Sequence, residues 1–138
     1  MNIAYFIKPK NTVQVVYSNN TVRQVIEKMK YYGYSAIPVL TEDGKYFGTV
    51  TEGDLLWATY MKDPKSCEKT GIASIIKADR CKPLSILASA DELIEVITVQ
   101  NFAPVLDDRG YFMGIVTRRD VIKYYYNKLK SEKQNHNQ

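Results

Sequence analysis

The sequence predicts an α/β (α+β) protein built from two pseudo-symmetric β-α-β-β-α repeats that pack together as one module. A seven-residue signature occurs twice, as GTVTEGD at residues 48–54 and as GIVTRRD at residues 114–120. An apolar stretch upstream of it also recurs, as PVL at residues 38–40 and at residues 104–106. Because each copy spans only about 60 residues and cannot close a good core alone, we expect the two halves to pack against each other.

The first repeat, together with an N-terminal lead, covers residues 1–61. β-Branched residues at 13–17 predict a first strand. Apolar residues at helical spacing, followed by Gly33 at a left-handed cap position, predict a helix over 21–32. The other predicted elements are a strand at 35–40, a turn at 42–45, a return strand at 46–50 and a helix from Thr51 to about Met61.

The strand at residues 35–40 contains Pro38, which has no amide hydrogen to donate to a neighbouring strand. That end of the strand must therefore lie at a sheet edge or beside something other than a strand. Backbone groups at this position are expected to be free for a ligand.

A polar connector at residues 62–82 leads to the second repeat at residues 83–130. Ser89 and the acidic residues after it suit the start of a helix. The predicted elements are a strand at 84–87, a helix from Ser89, a strand at 102–106, a turn at 107–110, a strand at 111–116 and a helix from Thr117. The polar residues 131–138 are expected to form a disordered tail.

The two repeats differ in the spacing between helix and strand. Val22 precedes Pro38 by 16 residues, whereas Leu93 precedes Pro104 by only 11 residues. The second helix, or the loop after it, is therefore predicted to be shorter by more than one turn.

Composition restricts the class of protein. With 138 residues, 45% of them hydrophobic, and a net charge of +4, the chain suits one globular domain. Its lysines are scattered, so we attribute the basic charge mainly to solubility rather than to nucleic-acid binding. Cys67 and Cys81 lack CxxC spacing and the single histidine, His136, lies in the tail, so no metal site is expected. Nothing resembles a signal peptide or a membrane span, which predicts a cytoplasmic protein.

A strand that ends in Gly-x-x-Thr and runs into a helix directs unpaired backbone amides and the positive end of the helix dipole at one point, where anions bind. The glycine permits close approach to the backbone. Thr51 and Thr117 place a hydroxyl at this corner, and Asp54 and Asp120 follow one turn into the helix. Such a carboxylate can accept both hydroxyls of a ribose while the threonine and the helix start hold a phosphate.

The alternative for each corner is a capping box, in which the acid bonds its own helix start and no ligand is involved. For a single Thr-x-x-Asp, capping is the better explanation. Repetition of the glycine, the threonine, the aspartate and the upstream proline favours ligand binding, because capping alone requires neither the glycine nor the proline.

The two corners differ in charge. Glu52 makes the first corner acidic, whereas Arg118 and Arg119 make the second strongly basic. Charge-assisted hydrogen bonds to phosphate contribute about 1.5–3 kcal/mol each, against about 0.3–1 kcal/mol from the helix dipole. The alternative for both arginines is a solvated first turn, which the dipole slightly disfavours. We therefore expect the corner at Thr117 to bind phosphate more tightly.

The β-α-β-β-α repeat, the Pro-Val strand and the two complete signatures resemble a tandem pair of CBS (cystathionine β-synthase) domains, also called a Bateman module, over nearly all of residues 10–130. The resemblance implies adenine-containing ligands (AMP, ADP, ATP, S-adenosylmethionine or cyclic di-AMP) in clefts between two repeats that pack through their sheets. The aspartate of one repeat would take the ribose, and the Pro-containing strand of the other would lie against the adenine. Residues 33–38 and 117–119 also resemble stand-alone CBS proteins of Gram-positive bacteria that bind cyclic di-AMP.

On this sequence the resemblance implies two clefts. The first cleft would combine the first Pro-containing strand with the second corner, through Thr12 or Gln14, Tyr34, Ser35, Ala36, Ile37, Pro38, Thr117, Arg118, Arg119 and Asp120. The second cleft would combine the other strand with the first corner, through Phe102, Ala103, Pro104, Thr51 and Asp54. The shortened spacing before Phe102 departs from the family pattern at the second cleft.

The helices that follow Thr51 and Thr117 carry apolar and aromatic residues, and the consecutive tyrosines at 124–126 cannot all share one face. CBS pairs commonly dimerise through these helices, so the resemblance implies a homodimer. The expected interface stripe consists of Leu55, Leu56, Tyr60, Val121, Ile122 and Tyr125.

Together these features predict a non-enzymatic regulatory module that requires no cofactor, binds an adenine nucleotide as its ligand and signals to an effector protein that the sequence does not identify. No nucleophile–base pair indicates catalysis, since Asp54 and Asp120 would belong to different clefts. The alternatives are an S-adenosylmethionine sensor and a structural or nucleic-acid interaction protein that binds no nucleotide. Salt-sensitive binding to DNA or RNA with indifference to AMP would favour the latter.

Overall fold

The computed structural model describes residues 2–60, 62–63, 65–77 and 80–136. The N-terminal lead contains a 3-10 helix at Ile3–Phe6, strand β1 at Lys8–Pro9 and a 3-10 turn at Lys10–Thr12. The first repeat follows as β2 (Val16–Tyr17), α1 (Val22–Tyr32), β3 (Ala36–Leu40), β4 (Tyr46–Thr51) and α2 (Glu52–Thr59).

The second half has the same order of elements. The connector contains α3 (Ser66–Lys69) and a 3-10 turn at Ile72–Ser74. The second repeat then forms β5 (Leu84–Ser85), α4 (Ala90–Val99), β6 (Phe102–Leu106), β7 (Phe112–Thr117) and α5 (Arg118–His136). The order β-α-β-β-α thus occurs twice, which confirms the predicted fold class.

Some elements differ from their predicted bounds. β2 is shorter than residues 13–17 because only Val16 and Tyr17 pair with β3. α2 ends at Thr59, and Met61, where the prediction ended, lies outside the described residues. α5 continues to His136 through the stretch expected to be a disordered tail, where lysine, glutamate and glutamine favour helix; residues 137–138 lie outside the described part.

The expected shortening of the second helix is wrong. α4 has 10 residues and α1 has 11, so the two helices differ by one residue. The prediction equated Val22, the first residue of α1, with Leu93, which lies one turn inside α4. Both helices are capped as the sequence indicates: Thr21 forms a capping box with Gln24, and the Ser89 side chain accepts the amide of Glu92.

Each repeat is centred on one sheet. The first sheet has the order β2-β3-β4, and the second has the order β1-β7-β6-β5. In both, the Pro-containing strand is antiparallel to its hairpin partner, with Pro38 opposite Thr49 and Pro104 opposite Ile115. The lead strand β1 pairs with β7, so the lead joins the sheet of the second repeat although it precedes the first.

The lead, which was grouped with the first repeat, packs on the second, and the connector, which was assigned to neither repeat, packs on the first. Ile3 and Phe6 of the lead are buried in the core of the second repeat. Ile72 of the connector is fully buried in the core of the first repeat, and its amide donates to the carbonyl of Asn20. Each core is therefore completed by a segment that lies outside the β-α-β-β-α unit.

The signature glycines make room for these segments. A Cβ atom at Gly114 would lie 2.1 Å from the carbonyl oxygen of Lys8, and one at Gly48 would lie 2.6 Å from Cγ2 of Ile76. The close approach expected for an anion is thus made by the protein itself, by the lead at one glycine and by the connector at the other.

The two repeats also meet through their hairpin turns. Tyr46 N–H donates to the carbonyl of Gly110 at 3.1 Å, and Phe112 N–H donates to the carbonyl of Gly44 at 3.0 Å. This reciprocal pair of bonds marks a pseudo-twofold axis between the hairpins. Because β4 and β7 run from these turns to their threonines, both corners lie at the opposite ends of the strands. No helix in the described part of the chain has both the length and the hydrophobicity of a membrane span.

Candidate functional site

A cavity of about 410 Å³ lies between the Pro-containing strand of the first repeat and the second corner. It contains many of the residues predicted for the first cleft, namely Thr12, Gln14, Tyr34, Ser35, Ala36, Pro38 and Thr117. Lys8, Asn101, Phe102 and Ile115 also line it. Since β3 and Thr117 belong to different repeats, this cleft exists only because the repeats pack together.

The cavity has an apolar side and a polar side. Ala36, Pro38 and Ile115 supply apolar surface, and Tyr34 supplies an aromatic side chain. Thr12 and Thr117 supply hydroxyl groups. Its volume falls within the roughly 300–1,000 Å³ of small-molecule pockets, which typically combine apolar walls with a few polar groups. A planar base with an attached sugar suits such a lining.

At the second corner, Thr117 caps α5 by accepting the amide of Asp120 at 3.2 Å. The Asp120 carboxylate lies 3.6 Å from the Lys8 ammonium group. Lys8 lines the first cleft, whereas Asp120 lines the adjoining groove, so the ion pair lies at the boundary between the two. Both side chains are partly exposed, and such pairs contribute about 0–1 kcal/mol, so a ligand can displace Lys8 at little cost.

The two arginines of the second corner lie beside the first cleft rather than in its lining. Arg118 Nε donates to the carbonyl of Ile97 at 2.7 Å, in the last turn of α4, where helix carbonyls lack partners of their own. The Arg118 side chain therefore joins α5 to α4. Arg119 is exposed and lines a separate groove with Ile122 and Tyr126.

The first corner forms a complete capping box. Thr51 Oγ1 accepts the amide of Asp54 at 3.1 Å, and Asp54 Oδ2 accepts the amide of Thr51 at 3.0 Å. The other carboxylate oxygen of Asp54 accepts a hydrogen bond from Arg80 at 2.5 Å, and Asp54 is only 3% exposed. A ribose could reach this carboxylate only by displacing Arg80.

The second cleft is small because side chains fill it. Its volume is about 170 Å³, and Arg80, Cys81 and Gln100 form part of its lining. Gln100 occupies the position that Tyr34 has in the first repeat. Its amide nitrogen donates to the carbonyls of Lys82 and Phe102, both at 2.8 Å. These contacts, rather than a short helix, distinguish the second cleft from the first.

A partly buried polar cluster of Tyr46, Thr49 and Cys81 borders the second cleft, and Thr49 and Cys81 form part of its lining. The hydroxyl groups of Tyr46 and Thr49 are hydrogen-bonded at 2.7 Å, next to Cys81. Burial raises the pKa of the Cys81 thiol and that of the Tyr46 phenol. Both groups therefore remain protonated at neutral pH.

Three predicted binding residues, Ile37, Ala103 and Pro104, are buried and do not line the predicted clefts. Ile37 and Ala103 are fully buried, in the cores of the first and second repeats respectively. Pro104 is buried opposite Ile115. Such residues can contact a ligand only through their backbone or through the surface they support. Phe102, predicted for the second cleft, lines both clefts.

Several residues at the clefts were missed from the sequence. Lys8 reaches the first cleft because β1 pairs with β7, and Arg80 reaches the second because the chain enters β5 beside it. Neither segment carries part of the repeated signature. One available signal was position: Asn101 and Gln100 match Ser35 and Tyr34 across the 66-residue repeat, and all four lie at a cleft.

Comparison with known proteins agrees with this architecture. A family model described as the CBS domain matches residues 7–60 and 80–127. The uncharacterized protein MJ1426 of Methanocaldococcus jannaschii is 27% identical, over 79% of this chain and 83% of that protein.

Two solved structures show the same fold with a bound nucleotide. One is CbpB in complex with c-di-AMP, which superposes with a TM-score of 0.88 at 21% identity and covers 98% of this chain and 91% of that chain. The other is CBSX2 in complex with AMP, with a TM-score of 0.75 at 19% identity over 91% of this chain and 96% of that chain.

Proposed function

Because this chain belongs to the CBS domain family, with one copy in each repeat, we propose that it is a regulatory module that binds an adenine nucleotide in the first cleft. Binding would signal to a partner protein without catalysing a reaction. The ligand is AMP, ATP or cyclic di-AMP. The single observation that carries this proposal is the cavity that joins β3 of one repeat to the Thr117 corner of the other.

The geometry supports a specific placement of the nucleotide. The adenine would lie against Ala36 and Pro38, where the strand supplies apolar surface and main-chain groups. The ribose would lie toward Asp120 and displace Lys8, which could then bind a phosphate. Thr117, at the start of α5, would bind the phosphate together with the helix dipole. A single ligand would thus contact both repeats and strengthen their association.

We propose one binding site per chain. The Asp54 carboxylate is already bonded to Thr51 and Arg80, and the second cleft has less than half the volume of the first. Binding there would require removal of Arg80 from a buried carboxylate, which is far more costly than displacement of Lys8 from Asp120.

The proposal is tested by thermal unfolding of the protein with AMP, ATP, cyclic di-AMP and S-adenosylmethionine in turn. A ligand at about 100 times its dissociation constant adds about 2.7 kcal/mol, which raises the melting temperature by roughly 10 °C in a chain of this size. We expect Asp120→Ala to abolish that increase and to leave the melting temperature of the free protein almost unchanged, because the Asp120 side chain is partly exposed.

Asp108→Ala is the matched control, since Asp108 lies exposed in the β6–β7 turn. This variant should keep the full ligand-induced increase. An undiminished increase in the Asp120 variant would contradict the ribose assignment. Absence of any increase in the wild type with all four ligands would contradict nucleotide binding itself, and an increase with S-adenosylmethionine alone would favour that ligand class.

We also propose that the protein forms a homodimer through α2 and α5. Part of the stripe expected from the sequence is wrong, because Leu55 and Val121 are buried in the cores and Tyr125 packs against one. The apolar residues that are more than half exposed on these helices, or at the C-cap of α2 in the case of Tyr60, are Leu56, Trp57, Tyr60, Ile122, Tyr126 and Leu129. Exposed aromatic and aliphatic side chains at such density are typical of an interface.

A further inference from the structure

The first cleft is bounded on one side by the chain just before β2, where Thr12, Val13 and Gln14 line it. We call residues 12–15 the entry segment. Residues 13–15 belong to no helix or strand, and β2 itself pairs with β3 through only Val16 and Tyr17. Because regular main-chain pairing does not hold the entry segment in place, its position depends on other contacts.

Lys28 of α1 supplies such a contact. Its Nζ atom donates to the carbonyl oxygen of Val15 at 2.5 Å. Lys28 is partly buried, and within the described part of the chain it forms no ion pair. Because a hydrogen bond from a charged group is stronger than one between neutral groups, this bond can fix the entry segment against α1. Lys28 does not line the first cleft, so it acts from behind the segment.

The second repeat holds its equivalent segment in a different way. Since β5 pairs with β6 as β2 pairs with β3, residues 80–82 are the counterparts of residues 12–14. The Lys82 amide donates to Oε1 of Gln100 at 2.9 Å, and Nε2 of Gln100 donates to the Lys82 carbonyl at 2.8 Å. Gln100 lines the second cleft. This segment is therefore held from inside the cleft, by a side chain that occupies part of its space.

Each repeat has one of these two holding side chains and lacks the other. Tyr34 lies at the position of the glutamine and has no amide group that could clamp a main chain. α1 and α4 begin after equivalent caps, Thr21 and Ser89. Counted from these caps, the position of Lys28 is taken in α4 by Val96, which is buried. The cleft held from behind has a volume of about 410 Å³, and the cleft held from inside has about 170 Å³.

We propose that Lys28 is a positioning residue for the first cleft, because its bond to the Val15 carbonyl holds the entry segment as a wall of the cleft and leaves the cleft itself open. Lys28 acts through the segment and not through contact with the ligand. Without the bond the segment would sample other positions, and the apparent dissociation constant would rise in inverse proportion to the fraction of molecules that keep it in place. This inference rests on the proposed function and adds a residue that lies outside both signatures.

Isothermal titration with AMP, ATP and cyclic di-AMP in turn, well below the melting temperature of each variant, tests this role. Lys28→Met removes the ammonium group and keeps a long apolar side chain. It should raise the dissociation constant of the tightest of the three nucleotides about tenfold, as expected if about one molecule in ten keeps the segment in place. Lys28→Arg retains a charged donor and should restore the affinity to within about threefold of the wild type. Lys30→Met is the matched control, since it removes an exposed charge from the same helix and should leave the affinity unchanged.

Hydrogen exchange of the free protein gives a readout that depends on no nucleotide. Main-chain amides of residues 13–17 should exchange faster in Lys28→Met than in the wild type, whereas those of the β6–β7 hairpin should exchange at the same rate.

The outcomes separate this inference from the proposed function. Wild-type affinity in Lys28→Met, an equal loss in Lys30→Met, or no rescue by Lys28→Arg would overturn the role of Lys28, while nucleotide binding would stand. Unaltered exchange of residues 13–17 in Lys28→Met would also overturn it. Wild-type protein that binds none of the three nucleotides would overturn the proposed function, and the exchange rates alone would then decide whether Lys28 holds the entry segment.

Discussion

Asp54 and Asp120 occupy equivalent positions in the two signatures, but their carboxylates have different partners. Asp54 is buried and bonded to Thr51 and Arg80, whereas Asp120 is partly exposed and paired with Lys8. The difference comes from the cation that lies against each carboxylate, Arg80 or Lys8, and from how deeply the carboxylate is buried. Identical residue types in a repeated motif therefore have different partners: one carboxylate is buried in a capping box, and the other is partly exposed and held only by a surface ion pair.

The signature glycines allow a prediction of whether an alanine substitution lowers or raises the stability of the protein. Gly114→Ala should destabilise the protein by about 1–3 kcal/mol, because its Cβ would overlap the main chain of Lys8, which cannot move without shifting β1. Gly48→Ala should cost less, since the Ile76 side chain can rotate away. Urea denaturation curves of the two variants measure both effects.

Gly53→Ala is the control for these substitutions. Its Cβ would meet only an ordinary contact at 3.7 Å, and alanine favours helix over glycine, so α2 should gain up to about 1 kcal/mol. If crowding around the glycine determines the effect, the free energy of unfolding should fall for Gly114→Ala and rise for Gly53→Ala. Equal stability of wild type and the Gly114 variant would show that β1 is not held as described.

At the residue scale, local chemistry was predictable and long-range partners were not. The caps at Thr21 and Gly33 follow from residue type and position alone. Lys8 and Arg80 lie in segments without a signature, and their approach to Asp120 and Asp54 depends on strand pairing across tens of residues. Sequence periodicity carries no information about such contacts.

Among the elements, the connector has a larger role than its polar composition indicates. It carries the cation for the buried Asp54 and lines the second cleft. Ile72, also in the connector, completes the core of the first repeat. The segment thus stabilises the first repeat and occupies space at a cleft in the same stretch of chain.

Arg80→Ala should destabilise the protein by about 1–3 kcal/mol, because Asp54 would keep a buried charge with only its own helix start to bond. The cost is limited because Arg80 is 37% exposed and water can replace part of its contact. Chemical denaturation measures it. Arg23→Ala, which removes exposed ion pairs with Glu27 and Glu68, is the control and should have a smaller effect.

The order of helices and strands was predictable because hydrophobic period and turn residues agree in both repeats. The alignment of α4 with α1 was not predictable, because apolar residues occupy several positions in each helix and Leu93 was matched to the wrong one.

A free energy of unfolding for Arg80→Ala equal to that of the wild type would contradict the prediction for Arg80. It would indicate that the contact between the connector and Asp54 is as weak as a surface ion pair.

At the scale of the whole molecule, the exposed apolar faces of α2 and α5 predict an assembly of two chains. Sedimentation velocity should give about twice the chain mass of 15.8 kDa. Leu56→Glu combined with Ile122→Glu should yield monomers, because two charges per chain would be buried at the interface. Leu87→Glu changes an even more exposed leucine, which lies before α4, and should leave the dimer intact.

A monomeric wild type, or a dimer that persists in the Leu56 and Ile122 double variant, would contradict this interface.

The sequence identified the two helices but not their outward faces, since Leu55 and Leu56 are adjacent and equally apolar. Only the packing of α2 on its sheet distinguishes them, with Leu55 buried and Leu56 exposed.

The reciprocal bonds between Tyr46 and Gly110 and between Phe112 and Gly44 have the form of an isologous contact, in which each partner gives what it receives. A half-length ancestor could therefore have associated with a second copy of itself through the same turn. In such an ancestor every substitution would have appeared at both corners at once. Fusion of two such copies would remove that constraint, and one corner could then acquire a buried internal cation, as Asp54 has in Arg80, while its counterpart kept an exposed one.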